Sequence, residues 1–239
     1  TRLVDVQVVR AAELKEQSAD IRTTSEVIWA SRGSIVDSFG NDLATDVDRY
    51  DVSADPRKVG EFRRDGEVIT VPAAMAEIAL LTDANPDELL YAVNRDREAH
   101  FTFLVKSVSP EDRQALRDLR NPWLQMDLVR ERTYPFGAVT ANLTGMLGTD
   151  EPLAGVERKY DPCLRAINGT ATYQKGADGI RLPGTTQLVE QPIHGGDVRL
   201  TIDSDLQWYV LQTLAEHGSN LGAQYGSAMV VRVDDGHVL

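Results

Sequence analysis

Serine acyl transfer by the Ser–Lys route needs a lysine three residues after a serine, one helical turn on, so that the amine can reach the hydroxyl. Lys15, Lys58, Lys106, Lys159 and Lys175 each lack a serine at that position, and no Lys-Thr-Gly or Lys-Ser-Gly triplet occurs. A Gly-x-Ser-x-Gly nucleophile elbow and a phosphate-cradling Gly-x-x-x-x-Gly-Lys-Ser/Thr loop are also missing. His100, His194, His217 and His237 are scattered, and Cys163 has no second cysteine, so the spacing of metal ligands is not met. The histidines read as surface or core residues, and Cys163 as a small apolar filler rather than a nucleophile. Acidic pairs such as Asp203 with Asp205, or Glu157 with Asp161, read as caps, turn residues or ion-pair partners. Glu157 and Asp161 would share one face if that stretch were helical, whereas a glycosidase needs two carboxyls across a cleft. Trp29, Trp123 and Trp208 are too dispersed for a sugar-stacking platform and read as core anchors. No catalytic residue, cofactor or metal site is expected in this chain.

The elements that carry these residues come from 239 positions with an apolar share of 42%, enough for a real core in one large or two modest domains. A net charge of −12 repels nucleic-acid phosphates and anionic lipid headgroups alike, so nucleic acid is excluded as a partner. One cysteine permits no internal disulfide. No run of about 18 apolar residues is present to span a bilayer, and Thr1-Arg2-Leu3-Val4-Asp5 lacks the layout of a signal peptide.

Along the chain, 3–20 carries apolar residues without clean phase and reads as a helix or an extended lead-in. Ser34 to Asp37 and Asp42 to Thr45 read as a hairpin around Gly40-Asn41. Residues 56–122 read as an inserted α/β lobe. Pro72 opens a helix over Ala73–Leu81, Asn85-Pro86-Asp87-Glu88 enters another, Ser109-Pro110 a third, and His100–Val105 is a strand between the last two. Trp123–Arg132 alternates as a strand ended by Pro135 and Gly137, and Val139–Leu147 fits helix or strand. Short strands and turns are expected from Gly148 to Gly196, then a strand over Val198–Ile202. Asp203 or Ser204 caps a helix with the apolar face Leu206, Tyr209, Val210, Thr213 and Leu214, and Gly218 is the expected terminating glycine. Ser227–Val233 reads as a strand turning through Asp234-Asp235-Gly236 into a return strand, the edge of a further domain.

Three stretches, in order, carry a family pattern. The first is Arg32-Gly33-Ser34-Ile35-Val36-Asp37 with Gly40 and Leu43-Ala44, similar to Arg-Gly-x-Ile-x-Asp-Arg-x-Gly followed by Leu-Ala, with Ser38 and Phe39 in place of the usual Arg and Asn. The second runs from Arg132-Thr133-Tyr134-Pro135 through Gly145, Gly155-Val156-Glu157, Tyr160-Asp161 and Leu164 to Gly169, with Ala166 where a glycine is common. The third is Leu200-Thr201-Ile202-Asp203-Ser204-Asp205-Leu206-Gln207. Together they resemble the N-terminal module of class B penicillin-binding proteins of the division type.

The resemblance implies an α+β fold, an elongated pedestal of the dimerisation type over 1–199 with the 56–122 lobe inserted. The first helix and strands of a transpeptidase domain would follow over 200–239. It implies a protein on the extracytoplasmic face of the bacterial cell membrane, tethered by a single N-terminal helix upstream of this chain. There it would position a peptidoglycan D,D-transpeptidase for septal wall synthesis. The implied partners are its own transpeptidase domain, a peptidoglycan glycosyltransferase and other divisome membrane proteins. A stand-alone cell-wall interaction protein is the alternative, and a carbohydrate hydrolase rests on nothing beyond plentiful carboxylates. One expectation follows from charge: Arg32 sits in a compact strand-turn region, and a buried arginine needs a carboxylate partner, for which Glu157 or Asp161 is the candidate.

Overall fold

A computed structural model describes residues 23–149, 151–176 and 181–239, so the lead-in at 3–20 lies outside the described residues. In chain order the strands are β1 (Thr23–Ile28), β2 (Ile35–Val36), β3 (Asp42–Ala54), β4 (Phe62–Arg64), β5 (Glu67–Ile69), β6 (Thr102–Val108), β7 (Leu124–Thr133), β8 (Gly169–Gln174), β9 (Gln187–Glu190) and β10 (Val198–Arg199). The helices are α1 (Val71–Thr82), α2 (Pro86–Asn94), α3 (Pro110–Asp118), the single-turn α4 (Ala141–Thr144), α5 (Gly155–Lys159), α6 (Asp161–Leu164) and α7 (Ser204–Leu221), with a 3-10 turn at Gly137–Val139. The class is α+β. The chain divides into two compact units: unit 1 takes the described residues up to Thr45 together with Tyr134–Leu239, and unit 2 is Asp46–Thr133.

Unit 2 holds the larger apolar core. Beyond Thr45, β3 pairs antiparallel with β6 (Ser53↔Phe103, Ala54↔Thr102) and also pairs with β7. Val52, Ala54, Met75, Ile78, Leu89, Val93, Leu116 and Trp123 fill the space between this sheet and the helices. Each helix begins where a side chain satisfies an orphan amide: the Thr70 oxygen accepts from Ala73 N, Asn85 from Asp87 N, and Ser109 from Asp112 N. A proline in the first turn of each supplies helical φ at no hydrogen-bond cost. The β4–β5 hairpin, absent from the sequence reading, turns at Asp65-Gly66, both with positive φ as a two-residue turn requires.

Unit 1 is assembled from shorter pieces. β2 pairs antiparallel with the start of β3 (Ile35↔Ala44) and parallel with β10 (Ile35↔Val198), while β1, β8 and β9 form a separate antiparallel sheet. Ile35, Leu43, Ala44, Val156 and Leu164 make its apolar core.

Several expectations are corrected here. The stretch 155–164 is two helical turns rather than strand and turn, because the i, i+4 spacing of Glu157 and Asp161 serves one buried arginine. Gly222, with φ +65, ends α7 in place of Gly218, which stays helical, and Tyr209 is exposed beside Trp208. Ser227–Val233 pairs with its return segment through a single bridge, Val231↔Val238, and no further strand joins them among the described residues, where a lone hairpin offers few ladder bonds. Trp123 is a core anchor, packed edge-on to Phe62 and donating from Nε1 to Gly60 O at 3.1 Å, but Trp29 and Trp208 are surface residues. Cys163 is exposed rather than a filler, its sulfur lying against Gly196.

Candidate functional site

Arg32 enters unit 1 just before β2, with its side chain 9% exposed. Its Nε donates to Glu157 Oε2 at 2.9 Å, Nη1 to Asp161 Oδ1 at 2.7 Å, and Nη2 to the Glu157 backbone carbonyl at 3.2 Å. Both candidate carboxylates are therefore engaged by one guanidinium fork, which a helical turn between them makes geometrically possible. The Glu157 side chain is fully buried, and Asp161 also receives Arg165, one turn along. Burial would raise the Asp161 pKa, yet Arg32 and Arg165 hold it below the usual carboxylate range.

Around this ion cluster the chain is stitched backbone to backbone. Gly33 N donates to Leu164 O, Gly195 N to Ser31 O, and Gly196 N to Cys163 O. A Cβ on Gly33 would lie 2.0 Å from Gly196 O, and one on Gly195 1.9 Å from Leu164 O, so these positions admit only glycine. Gly145 and Gly155 approach each other's backbone in the same manner, and Gly169 lies against Glu190 O. Side chains complete the stitching: Ala30 N donates to Asn168 Oδ1, Ser31 N to His194 Nδ1, and Ser34 N to Asp197 Oδ1.

Asp37, fully buried, closes the β2–β3 turn. Its Oδ1 accepts from Phe39 N and Asn41 N at 2.8 Å each, and its Oδ2 from Asn41 Nδ2 at 2.9 Å and the Ser204 hydroxyl at 2.7 Å. Gly40, with φ +93, lets the turn wrap around the carboxylate. Desolvation pushes the Asp37 pKa up, but the bonds from Ser204, Asn41 and Phe39 outweigh it and hold the group well below 3.8. Asp203 caps α7, accepting from Asp205 N and Leu206 N at 3.1 Å.

The structure thus brings Arg32, Gly33, Ile35, Asp37, Gly40, Leu43, Gly155, Glu157, Asp161 and Asp203 into unit 1, along with Gly145 and Gly169. Tyr134 belongs there too, its hydroxyl accepting from Leu147 N at 2.7 Å, and Pro135 follows it. Tyr160 is largely exposed. Arg132 belongs to unit 2, where it pairs with Asp46 at 3.1 Å. Ser204, Asn41, Asn168, His194, Asp197 and Gly195 also hold the site together, and no sequence signal marks them as site residues, since a lone polar side chain or glycine carries no spacing. The four bonds to Asp37 use the acceptor capacity of a carboxylate, and Arg32 and Arg165 together balance the charges of Glu157 and Asp161, so the cluster ties distant segments of unit 1 together. Among the described residues no helix is long and apolar enough to cross a membrane.

Residues 27–152 match the family model described as Penicillin-binding Protein dimerisation domain. The whole chain aligns with Penicillin-binding protein PbpB of Mycobacterium tuberculosis at 29% identity, over 36% of that protein. It also aligns throughout with the Peptidoglycan D,D-transpeptidase FtsI of Escherichia coli at 28% identity, over 40% of its length. The chain therefore spans about two fifths or less of these relatives. A crystal structure of a peptidoglycan synthetase from Bifidobacterium adolescentis superposes with a TM-score of 0.57 at 27% identity, covering 91% of this chain and 44% of that one. With its three motif stretches folded as described and this family match over more than half its length, the chain belongs to the penicillin-binding protein dimerisation domain family.

Proposed function

We propose that the chain is the non-catalytic N-terminal module of a class B penicillin-binding protein. In this reading 1–199 is the pedestal, 56–122 its inserted lobe, and 200–239 the opening of a D,D-transpeptidase domain. The module stands on the extracytoplasmic face of the cell membrane, tethered upstream, and positions the transpeptidase for septal wall synthesis. It contacts a peptidoglycan glycosyltransferase and other divisome proteins. One observation carries the reading: motif stretches more than a hundred residues apart meet around Arg32 and Asp37, and the last of them is the first turn of α7. A module built to hold the start of α7 in register suits a positioning role, and the absence of a Ser-x-x-Lys in this sequence suits a non-catalytic one.

Covalent labelling with a fluorescent penicillin, run on this chain and on the full-length gene product that carries it, tests the reading. Only the full-length protein is expected to label. Failure of a folded full-length protein to label would overturn the transpeptidase assignment in favour of a stand-alone interaction protein.

A further inference from the structure

The segment from Thr201 to Gln207 is tied to three separate parts of unit 1. Ser38 N donates to Ile202 O at 2.8 Å and the Ser204 hydroxyl to Asp37, which joins the segment to the β2–β3 turn. Gln207 Nε2 donates to Val139 O at 3.2 Å, at the 3-10 turn. Asp203 N donates to Leu239 O at 2.8 Å, and the Thr201 hydroxyl to Val238 O at 2.6 Å. Ser204 and Asp37 are the members of this set that are both fully enclosed, at 1% and 0% exposure. A hydrogen bond between two enclosed groups has no competing water, so it fixes direction more firmly than the exposed ties beside it. It also sits on the first residue of α7, where a small rotation is carried along all 18 residues of the helix.

We infer that Asp37 and Ser204 form a latch that positions α7 against the β2–β3 turn, and that acylation in the full-length protein depends on this latch. The inference rests on the reading that α7 opens the transpeptidase domain. In acylation the nucleophilic serine oxygen bonds to the lactam carbonyl carbon as the lactam C–N bond breaks, and the serine proton passes to the lactam nitrogen. The latch acts by orienting the scaffold around that step, as remote positioning residues do.

The test is the acylation rate of full-length protein with a fluorescent penicillin, measured across concentration so that the saturating rate and the half-saturating concentration separate. Asp37→Asn keeps the shape but turns a donor toward the Ser204 hydroxyl and Asn41 Nδ2. Its saturating rate is expected to fall about tenfold, the scale of a modest misplacement, with the half-saturating concentration unchanged. Ser204→Ala, which deletes one bond and preserves the fold should Asp37→Asn disrupt it, is expected to slow acylation in the same direction, and Ser204→Thr to restore it. Wild-type rates in Asp37→Asn and Ser204→Ala would overturn the latch while leaving the transpeptidase reading intact. A slow Ser204→Ala that Ser204→Thr does not restore would overturn it too, assigning the loss to general loosening. Wild-type protein that does not acylate at all would overturn both.

Discussion

Among the described residues, unit 2 buries twelve apolar residues in one cluster with Ser53 and Asp55 as its buried polar members, whereas the unit 1 cluster buries five. Unit 1 makes up the difference with enclosed, hydrogen-bonded polar side chains, Asp37, Thr144, Glu157, Asp161 and Ser204, and with glycines through which backbones touch. The two regions therefore rest on different physics. An apolar core is non-directional and accepts exchanges that conserve volume. A buried ion cluster is directional, and its energy depends on every member being present, because an unpaired enclosed charge costs more than the pair contributes. Unit 1 thus fixes one geometry at the expense of tolerance.

The comparison can be broken most directly at Arg32. Arg32→Ala leaves Glu157 enclosed without its guanidinium, and a loss of about 4 kcal/mol is expected in unit 1. Arg32→Lys restores little, because one ammonium cannot present a fork to two carboxylates. Hydrogen–deuterium exchange resolved by peptide gives each unit its own readout, and wild-type protection across 155–165 in Arg32→Ala would defeat the claim.

A matched change in unit 2 sharpens the contrast. Met75, fully buried, truncated to Ala is expected to cost about 3 kcal/mol, whereas Met75→Leu costs under about 1.5 kcal/mol because volume and character are kept. If Met75→Leu proved as damaging as Arg32→Lys, the distinction between a tolerant and an intolerant core would fail.

Acid provides the smallest and most graded test. Asp37 and Asp161 have native pKa values below their ordinary 3.8, so the stability they contribute is fully present above that value and is lost as pH falls through the native values. Unit 1 protection should stay level above about pH 4 and decline below it. Asp37→Asn should flatten that decline, and an unchanged acid slope in the variant would remove Asp37 from the account. Unit 2 is not acid-proof, since Arg57 holds Asp55 down to about 2, but that pair lies at one turn rather than through the core.

Much of unit 2 was legible because its signals are local. Thr70-Val71-Pro72, Asn85-Pro86 and Ser109-Pro110 announce helix starts through capping and proline geometry that needs no distant partner. Asp65-Gly66 carries a hairpin signal of the same local kind. In unit 1 the motif residues could be named, and an arginine seeking a carboxylate could be matched to Glu157 or Asp161 on charge alone. That both bind it at once depended on helicity at 155–164, which no periodicity over so short a stretch reveals. Over Ser227–Val233 the pairing among the described residues is a single bridge, Val231↔Val238, because apolar, β-branched content states what a segment can pair with and a ladder needs a partner strand beside it.

Legible in the chain alone were the local features: caps, turns, the apolar faces, the lack of a Ser-x-x-Lys spacing and the ordered motifs that mark the family. It takes the folded chain to show that Ser204 reaches Asp37 across 167 positions, that Gly33, Gly195 and Leu164 share one backbone contact, and that one guanidinium serves two carboxylates. The reason is range. Caps and turns are set by bonds among neighbours in the chain, whereas an enclosed polar contact exists only once distant segments have excluded water from around it.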